Sequence, residues 1–264
     1  NTVSKGNLRD VAIEDILGRE PVNLEWSKIQ SSLSGKRILI TGGGGSIGSE
    51  LCRQLARVAP EALIIYDRSE FNLYQINATI QREFPDLQHK AILGDVVDRQ
   101  CLEEVIQQEK PNIIFHAAAY KHVPLLEKQV LAAVTNNLIG TKNVAEIALA
   151  EQVERFVLIS TDKAVNPGNI MGATKRAAEI LCQNLNTTTE HTAFITVRFG
   201  NVLDSAGSVV PLFREQIKAG GPVTVTHQNV TRYFMTIPEA CRLIMQAEAV
   251  GAGGEIYVLD MGKP

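Results

Sequence analysis

Between Lys36 and Phe199 the sequence alternates short apolar runs with stretches of helical pattern, and this alternation constrains the fold more than any single motif. The apolar runs predict strands at residues 37–41, 62–67, 90–94, 113–117, 155–160 and 193–199. The stretches between them predict helices at residues 47–58, 70–84, 99–109, 124–151 and 170–185. Strands joined by helices in this way run parallel through right-handed crossovers. The chain is therefore predicted to form an α/β fold, a Rossmann-type doubly wound parallel sheet.

The sequence on either side of this alternation predicts two smaller regions. Residues 1–34 are predicted to be an N-terminal helical wrap, with one helix at 7–18 and a short second helix that starts near Trp26. Residues 35–200 form the Rossmann domain, and residues 201–264 form a smaller α/β lobe over the carboxyl edge of the sheet. That lobe is predicted to contain helices at 208–219 and 237–249 and strands at 222–227 and 255–260.

Composition argues against several classes of function. The 26 basic and 29 acidic residues give a net charge of -3, which offers no electrostatic basis for binding nucleic acid. The four cysteines are far apart in the sequence and the histidines lack the spacing of metal ligands, so we expect reduced thiols and no metal site. No apolar run approaches the roughly 18 residues of a spanning helix. These features favour a cytoplasmic location.

The first predicted strand leads directly into a glycine-rich turn and then into a helix. Gly42, Gly45 and Gly48 form a GxxGxxG motif, in which missing side chains allow a tight turn and let the backbone approach a pyrophosphate. The amides of Ser46 and Ile47 belong to the helix N-terminus, which favours an anion. Four consecutive glycines could instead form a flexible loop, but the strand before and the helix after them favour a dinucleotide site.

Further residues at the ends of successive strands complete a predicted dinucleotide site. Asp67 closes the second strand about 20 residues after the glycines, where a carboxylate can accept the ribose hydroxyls of NAD. Arg68 could instead bind the 2′-phosphate of NADP, so NAD is favoured and NADP remains the alternative. Asp95 and Val96 are placed to contact adenine, and the small residues Ala117, Ala118 and Ala119 would let the cofactor lie against the backbone.

Catalytic candidates cluster between residues 159 and 176. Thr161, Asp162 and Lys163 follow a buried strand, at the edge where open α/β sheets place their ligands. Met171 and Lys175 are four residues apart on the next helix and share one face. The alternative interpretation of such a short polar cluster is a solvated turn followed by a surface helix.

The assembled motifs resemble those of extended short-chain dehydrogenases/reductases and, more narrowly, bacterial UDP-N-acetylglucosamine 4,6-dehydratases of the long, membrane-anchored type. The resemblance runs from about Leu8 to Lys263 and includes LRDVAIEDILGREPV, TGGGGSIGSE, HAAAYKHVPLLE, STDKAVNP, MGATKR, VRFGNVL, GSVVPLF and VTRYFMTIPEA. The wider superfamily has Tyr-x-x-x-Lys, whereas this chain has Met171 at the tyrosine position. The long dehydratases share that methionine, so Met171 makes the chain resemble them more than other members of the superfamily.

The resemblance implies a reaction and a role for each catalytic residue. The sugar is oxidised at carbon 4, water is eliminated across carbons 5 and 6, and the hydride returns to carbon 6. Asp162 would protonate the departing hydroxyl and Lys163 would remove the proton on carbon 5. Thr161 would bind the carbon 4 oxygen, and Lys175 would hold the nicotinamide ribose. Because Met171 cannot transfer a proton, a water molecule or Lys175 must accept the first one.

The same resemblance suggests how the substrate and the whole protein are arranged. Asn201 and Arg232 are candidates for the diphosphate, Thr224 for the uracil side, and Lys121 for the sugar or the diphosphate. The substrate would be UDP-N-acetylglucosamine, bound by one catalytic domain that is truncated at both ends. The parent protein would be a homo-oligomer anchored at the cytoplasmic face of the inner membrane. A UDP-sugar 4-epimerase and a non-catalytic NAD-binding sensor are the alternatives.

Overall fold

A seven-stranded, entirely parallel sheet forms the centre of the protein in the computed structural model, which describes residues 24–225, 227, 229 and 231–261. The strands lie in the order β3-β2-β1-β4-β5-β6-β9. Their bounds are Arg37–Thr41 (β1), Ala62–Asp67 (β2), His89–Leu93 (β3), Ile113–His116 (β4), Arg155–Thr161 (β5), Ala193–Phe199 (β6) and Ile256–Val258 (β9). A separate short parallel pair joins Asn201–Val202 (β7) to Phe234–Met235 (β8).

Helices cover both faces of the sheet. Their bounds are Trp26–Leu33 (α1), Ser46–Ala56 (α2), Glu70–Glu83 (α3), Arg99–Glu109 (α4), Val123–Lys128 (α5), Val130–Ala133 (α6), Gly140–Ala150 (α7), Ile170–Asn186 (α8), Val209–Lys218 (α9) and Ile237–Val250 (α10). A π-helical turn, Val134–Ile139, joins α6 to α7, and a 3-10 turn, Asp162–Ala164, follows β5.

Alternate residues of each strand enter one of two hydrophobic cores. Ile38 and Ile40 face the core beneath α1, α2, α3 and α10, whereas Leu39 faces the core beneath α4, α7 and α8. Because both faces are covered, the inner strands β1, β2, β4, β5 and β6 are buried along nearly their whole length, which explains their apolar runs. This doubly wound arrangement confirms the predicted fold class.

Ion pairs lie at the amino edge of the sheet, opposite the edge where the functional candidates are found. Glu109 is buried there and accepts hydrogen bonds from Arg37 Nη2 at 3.1 Å and from Lys90 Nζ at 2.7 Å. The buried Glu109 carboxylate therefore has two cationic partners, which offset the cost of removing it from water.

Most sequence predictions of the elements are confirmed, and the second helix of the predicted wrap is confirmed as α1. The predicted helix at 124–151 is one of two exceptions, since the structure divides it into α5, α6, the π-helical turn and α7. Gln129 has φ -132° and ψ 56°, which ends α5 even though the apolar periodicity continues. The predicted helix at 7–18 lies outside the described residues.

The predicted strand at 222–227 is wrong for the residues that the structure describes there. Thr224 is exposed, its amide donates to Gln216 Oε1 at 3.0 Å, and its hydroxyl accepts from Gln216 Nε2 at 2.8 Å. One glutamine side chain on α9 therefore satisfies polar groups that a neighbouring strand would otherwise pair. The alternation of Val223, Thr224 and Val225 resembles a strand pattern but has no partner strand here.

Candidate functional site

A cavity of about 140 Å³ opens at the carboxyl edge of the sheet, where the strand order changes direction between β1 and β4. Ligands of doubly wound folds bind at such switch points. Residues predicted for the cofactor line it: Gly42, Gly45, Asp67, Arg68, Asp95, Val96, Ala117, Ala118 and Ala119. Further lining residues are Tyr66, Asn72, Gly94, Tyr120 and Asn136. The structure thus brings together groups from four different strand ends.

The glycine turn leaves no space for side chains. Gly42 has a left-handed φ of +67°, and a Cβ there would lie 2.6 Å from the amide nitrogen of Ala118. A Cβ on Gly48 would collide with the carbonyl oxygen of Gly42. Only glycine therefore lets β1, β4 and α2 approach this closely. The turn matches the close backbone approach that a dinucleotide pyrophosphate requires.

The N-terminus of α2 supplies the positive end of a helix dipole to this cavity. Gly45 precedes the helix and provides no side-chain cap, and the amides of the first helical turn have no acceptor within the helix. These are the amides of Ser46, Ile47 and Gly48. The turn itself is held by bonds from Gly43 N to the carbonyl of Tyr66 and from Gly44 N to Asp67 Oδ2. The site can therefore accept an anion without rearrangement.

Asp67 is fixed at the end of β2 by the backbone on either side of it. Its Oδ2 accepts from Gly44 N at 2.9 Å, and its Oδ1 accepts from Ser69 N at 2.8 Å. Only 8% of the residue is exposed, so the carboxylate has a single orientation toward the cavity. Each oxygen retains a lone pair for a ribose hydroxyl.

Arg68 is engaged by neighbours on the far side of the cavity. Its guanidinium lies 4.3 Å from the centre of the Tyr120 ring and 3.6 Å from Asp95 Oδ2. The stacking and the ion pair both compete with any phosphate for this cation. The contact with Asp95 also places a negative charge next to the position that a 2′-phosphate would occupy.

Two buried asparagines of the π-helical turn were missed by sequence reasoning. Asn137 Oδ1 accepts from Tyr120 N at 2.8 Å, while its Nδ2 donates to Tyr120 O at 3.0 Å and to Thr174 Oγ1 at 3.2 Å. Asn136 lines the cavity. Polar residues within an otherwise apolar helical pattern are the signal that could have revealed this pair.

A buried hydrogen-bond chain runs beneath the cavity. Thr141 Oγ1 donates to the carbonyl of Asn137, so it accepts from His116 Nε2, and Thr41 Oγ1 donates to His116 Nδ1 at 2.7 Å. Burial, aided by the positive charge of Lys175, lowers the pKa of His116 to about 3. The imidazole is therefore neutral, and it acts as a structural link between β1 and α7.

The residues after β5 form a compact polar cluster. Asp162 Oδ1 accepts from Thr161 Oγ1 at 2.9 Å and from Lys163 Nζ at 3.0 Å. Lys163 Nζ also donates to Asn201 Oδ1 at 3.3 Å. Both ion-pair partners are partly exposed, which leaves the cluster accessible to a ligand. The structure therefore brings Asn201, predicted for a diphosphate, to Lys163.

Met171 and Lys175 are both buried on the same face of α8. Met171 packs against Leu126 and Ala133, so apolar contacts fill the position where the superfamily has tyrosine. Burial lowers the pKa of Lys175 to about 8, although the charges of Cys182 and Glu179 oppose this effect. The Lys175 ammonium makes no hydrogen bond within the described part of the chain.

The remaining predicted substrate residues are exposed and are not drawn into this cluster. Lys121 follows Tyr120 at the rim of the cavity. Arg232 donates to the carbonyl of its neighbour Thr231, and Thr224 is bonded to Gln216. The ring of His122 lies next to Gly207, where a Cβ would be 2.6 Å from His122 Cε1.

The described residues contain neither a cluster of metal ligands nor a helix that could span a membrane. Among them, no three His, Cys, Asp or Glu side chains are grouped closely enough to hold a metal ion. None of the described helices combines the length and the apolar character needed to cross a bilayer.

The switch-point cavity, the glycine turn and the carboxylate at the end of β2 define a Rossmann-type dinucleotide-binding protein. Residues 38–264 match the family described as "Polysaccharide biosynthesis protein", and the chain belongs to that family. It is 52% identical over 259 residues to the capsular polysaccharide biosynthesis protein CapD of Staphylococcus aureus, covering 98% of this chain and 43% of CapD. The chain thus spans less than half the length of that relative.

More distant relatives carry names of specific enzymes. The inverting UDP-N-acetylglucosamine 4,6-dehydratase of Campylobacter jejuni is 33% identical over 85% of this chain and 67% of its own length. The UDP-glucose 4-epimerase of Rickettsia canadensis is 34% identical over 84% of this chain and 65% of its own length. Among solved structures, Pen from Bacillus thuringiensis superposes with a TM-score of 0.80 at 33% identity, covering 86% of this chain and 71% of that chain.

Proposed function

We propose that the chain is the catalytic part of an NAD-dependent nucleotide-sugar enzyme, specifically a UDP-N-acetylglucosamine 4,6-dehydratase. The observation that carries this proposal is the Asp162–Lys163 pair at the carboxyl end of β5, with 3.0 Å between Oδ1 and Nζ. An elimination needs an acid for the leaving hydroxyl and a base for the carbon 5 proton. This adjacent pair would supply both at the carboxyl edge of the sheet, the edge where the dinucleotide cavity opens.

NAD is the cofactor that the cavity fits. The first-turn amides of α2 would hold its pyrophosphate, Asp67 would accept the ribose hydroxyls, and Lys175 would bind the nicotinamide ribose. When bound, NAD would supply the hydride acceptor for the oxidation at carbon 4 and the hydride donor for the later reduction at carbon 6. NADP is disfavoured because Asp67 presents a carboxylate to the 2′ position and Arg68 is engaged by Asp95 and Tyr120.

The charge state of the Asp162–Lys163 pair explains how an acid and a base can coexist. In the free protein both groups are partly exposed and Asp162 Oδ1 lies 3.0 Å from Lys163 Nζ. A bound sugar would remove water from the pair and disfavour separated charges. Transfer of one proton from Lys163 Nζ to Asp162 Oδ1 then gives a neutral amine and a carboxylic acid. These are the base and the acid that elimination requires.

The other residues of the cluster position the groups that react. Thr161 would donate to the carbon 4 oxygen, exchanging its present bond to Asp162 for one to the substrate. Asn201 holds Lys163 from β7, next to the end of β6. Met171 cannot transfer a proton, so the carbon 4 hydroxyl must pass its proton to a water molecule or to Lys175.

A reaction in deuterium oxide tests the proposal. The protein is incubated with UDP-N-acetylglucosamine and catalytic NAD, and the product is analysed by mass spectrometry and proton NMR. We expect a product that has lost one water molecule and that carries one deuterium at carbon 5. Lys163→Ala should lower the rate by at least ~100-fold, as expected when a general base is lost. Lys142→Ala, which removes a half-exposed lysine from α7, should leave the rate unchanged.

Other outcomes identify the alternatives. An unchanged mass with a new hexosamine isomer would show a UDP-sugar 4-epimerase, the activity named for the Rickettsia relative. Unchanged substrate despite measurable NAD binding would show a non-catalytic sensor. A Lys163→Ala variant with the activity of the wild type would exclude Lys163 as the base.

We further propose that the whole protein is a homo-oligomer that acts on the cytoplasmic side of the inner membrane. The free state of all four cysteines and the resemblance to the long dehydratases motivate this proposal. Fractionation of cells producing the parent protein, followed by protease treatment of spheroplasts, tests its location. Recovery in the soluble fraction, or digestion from the outside, would contradict it. Light scattering of the purified protein measures the oligomeric state, and a monomer would contradict the proposed homo-oligomer.

A further inference from the structure

Glu179 lies at the centre of a buried network behind the catalytic cluster. The residue is fully buried on α8, yet it carries a carboxylate. Oε1 accepts from Ser160 Oγ at 2.5 Å and from Arg198 Nε at 2.7 Å, while Oε2 accepts from Arg176 Nη1 at 3.0 Å and from Arg198 Nη2. Burial alone would raise the pKa of Glu179, but the hydrogen bonds from Arg198, Ser160 and Arg176 outweigh it and lower the pKa below its usual value.

The network joins the three elements that carry the candidate catalytic groups. Ser160 on β5 directly precedes Thr161, and Arg198 on β6 lies three residues before Asn201. Glu179 itself lies one helical turn after Lys175 on α8. A single carboxylate therefore contacts β5, β6 and α8 close to the point where each enters the site.

We infer that Glu179 is a positioning residue, whose carboxylate holds Ser160 and Arg198 and thereby fixes Lys175 relative to Thr161 and Asn201. This inference deepens the proposed function and rests on it. The shared hydrogen bonds restrict sliding of α8 along β5, since any such shift would break bonds to both strands. A buried ionic network is weak evidence for stability alone, because apolar residues of similar volume often stabilise a core equally well.

Glu179 also acts on Lys175 through its charge. Its carboxylate opposes the effect of burial and keeps the pKa of Lys175 higher than burial alone would allow. Other titratable or charged groups on Lys175's own helix and on packed or nearby elements include Arg176, Cys182, His116, Glu127, Lys128, Lys142, Glu146, Arg155, Asp162, Lys163 and Arg198. Loss of the Glu179 charge also leaves the charges of Arg176 and Arg198 unneutralised, so the net charge near the Lys175 ammonium becomes more positive. Both changes favour the neutral amine of Lys175.

The test compares wild type with Glu179→Gln, which keeps the size of the side chain and removes its charge. NAD affinity is measured by calorimetry from pH 6 to pH 10 and is expected to fall as Lys175 loses its proton. In Glu179→Gln the midpoint of this fall should move to lower pH by roughly 0.5 to 1 unit. Lys175→Met assigns the transition, because it should remove the pH dependence. Glu146→Gln, a control for loss of a carboxylate paired with Arg99 and Lys142, should leave the midpoint unchanged.

A second variant tests the positioning role of Glu179 separately from the effect of its charge. It also keeps the inference testable if Glu179→Gln does not fold. Ser160→Ala removes one hydrogen bond to the carboxylate without changing charge. We expect the turnover number to fall about tenfold, with an unchanged KM for the sugar nucleotide and an unchanged NAD midpoint. An unshifted midpoint in folded Glu179→Gln, or wild-type turnover in Ser160→Ala, would overturn the inference. If wild type binds NAD but converts no sugar, the proposed function fails, while the NAD midpoint still tests Glu179.

Discussion

The carboxyl edge of the sheet and the segment from α9 to β8 differ in how firmly the fold fixes their functional candidates. At the sheet edge, backbone amides hold Asp67 and the glycine turn leaves no room for a side chain. In the other segment, α9 has no buried residue, and Thr224 and Arg232 are exposed. The folded core therefore sets the geometry of the dinucleotide site, whereas it does not set the positions of Thr224 and Arg232, which were predicted for the uracil side and the diphosphate.

The largest expected effect concerns the glycine turn, which belongs to the firmly fixed carboxyl edge of the sheet. Gly48→Ala places a methyl group against the carbonyl of Gly42, so the first turn of α2 must move away from the cavity. We expect NAD affinity to fall at least ~100-fold, about 3 kcal/mol, as measured by calorimetry. Gly168→Ala is the matched control because a Cβ at Gly168 meets no atom within 4 Å. Affinity within threefold of wild type in Gly48→Ala would show that the turn is not preformed.

An intermediate effect concerns α10, the part of the C-terminal region that does pack on the sheet. Glu248 is fully buried there, accepts from Ser32 Oγ at 2.9 Å and lies 3.5 Å from Arg155 Nε. Burial raises the pKa of Glu248 from 4.5 to about 7, despite the bond from Ser32 and the charge of Arg155. The folded state therefore binds this proton more tightly than the unfolded state does.

The sign of the resulting pH dependence follows from linkage. The stability from this proton is complete below pH 4.5 and is lost as the pH rises through about 7, by about 3 kcal/mol in total. Glu248→Gln should remove this slope and be more stable than wild type at pH 8, as measured by urea unfolding from pH 5 to pH 8. Glu104→Gln, an exposed change on α4, should keep the slope. An equal slope in Glu248→Gln would contradict the assignment.

The smallest expected effect concerns α9, which has no buried residue, in contrast to α10, which packs on the sheet. Ile217 on α9 is 64% exposed, so Ile217→Ala should change the free energy of unfolding by less than ~0.5 kcal/mol. Ile244 on α10 is fully buried, and Ile244→Ala should cost about 2 to 5 kcal/mol. Chemical denaturation measures both variants. A cost above ~1 kcal/mol for Ile217→Ala would show that α9 is packed in solution.

The sequence was most informative where local pattern and burial agree. The bounds of β1, β2 and β6 match their predicted ranges, because strands covered on both faces have uninterrupted apolar runs. Gly42, Asp67, Asp95 and the three alanines were correctly predicted to converge, since parallel strands end at one edge of a sheet. The roles of these residues in binding or catalysis remain predictions.

The sequence was least informative where long-range pairing decides the structure. The apolar periodicity of 124–151 continues past Gln129, so the break between α5 and α6 leaves no local signal. Among the described residues Thr224 pairs with the Gln216 side chain and with no strand, which only the fold reveals. Glu179 and Asn137 were missed because their partners on other elements lie 17 to 37 residues away along the chain.

The polarity of the sheet has a practical consequence for handling the protein. Both candidate ligand sites lie at the carboxyl ends of the strands, while the opposite edge has Glu109 paired with Arg37 and Lys90. The connection between α2 and β2 lies at that opposite edge. In it Ala59 and Glu61 are exposed, whereas Pro60 between them is buried. A fluorophore or a surface tether attached at Glu61 therefore leaves the cofactor cavity and the Lys163 cluster facing the solvent.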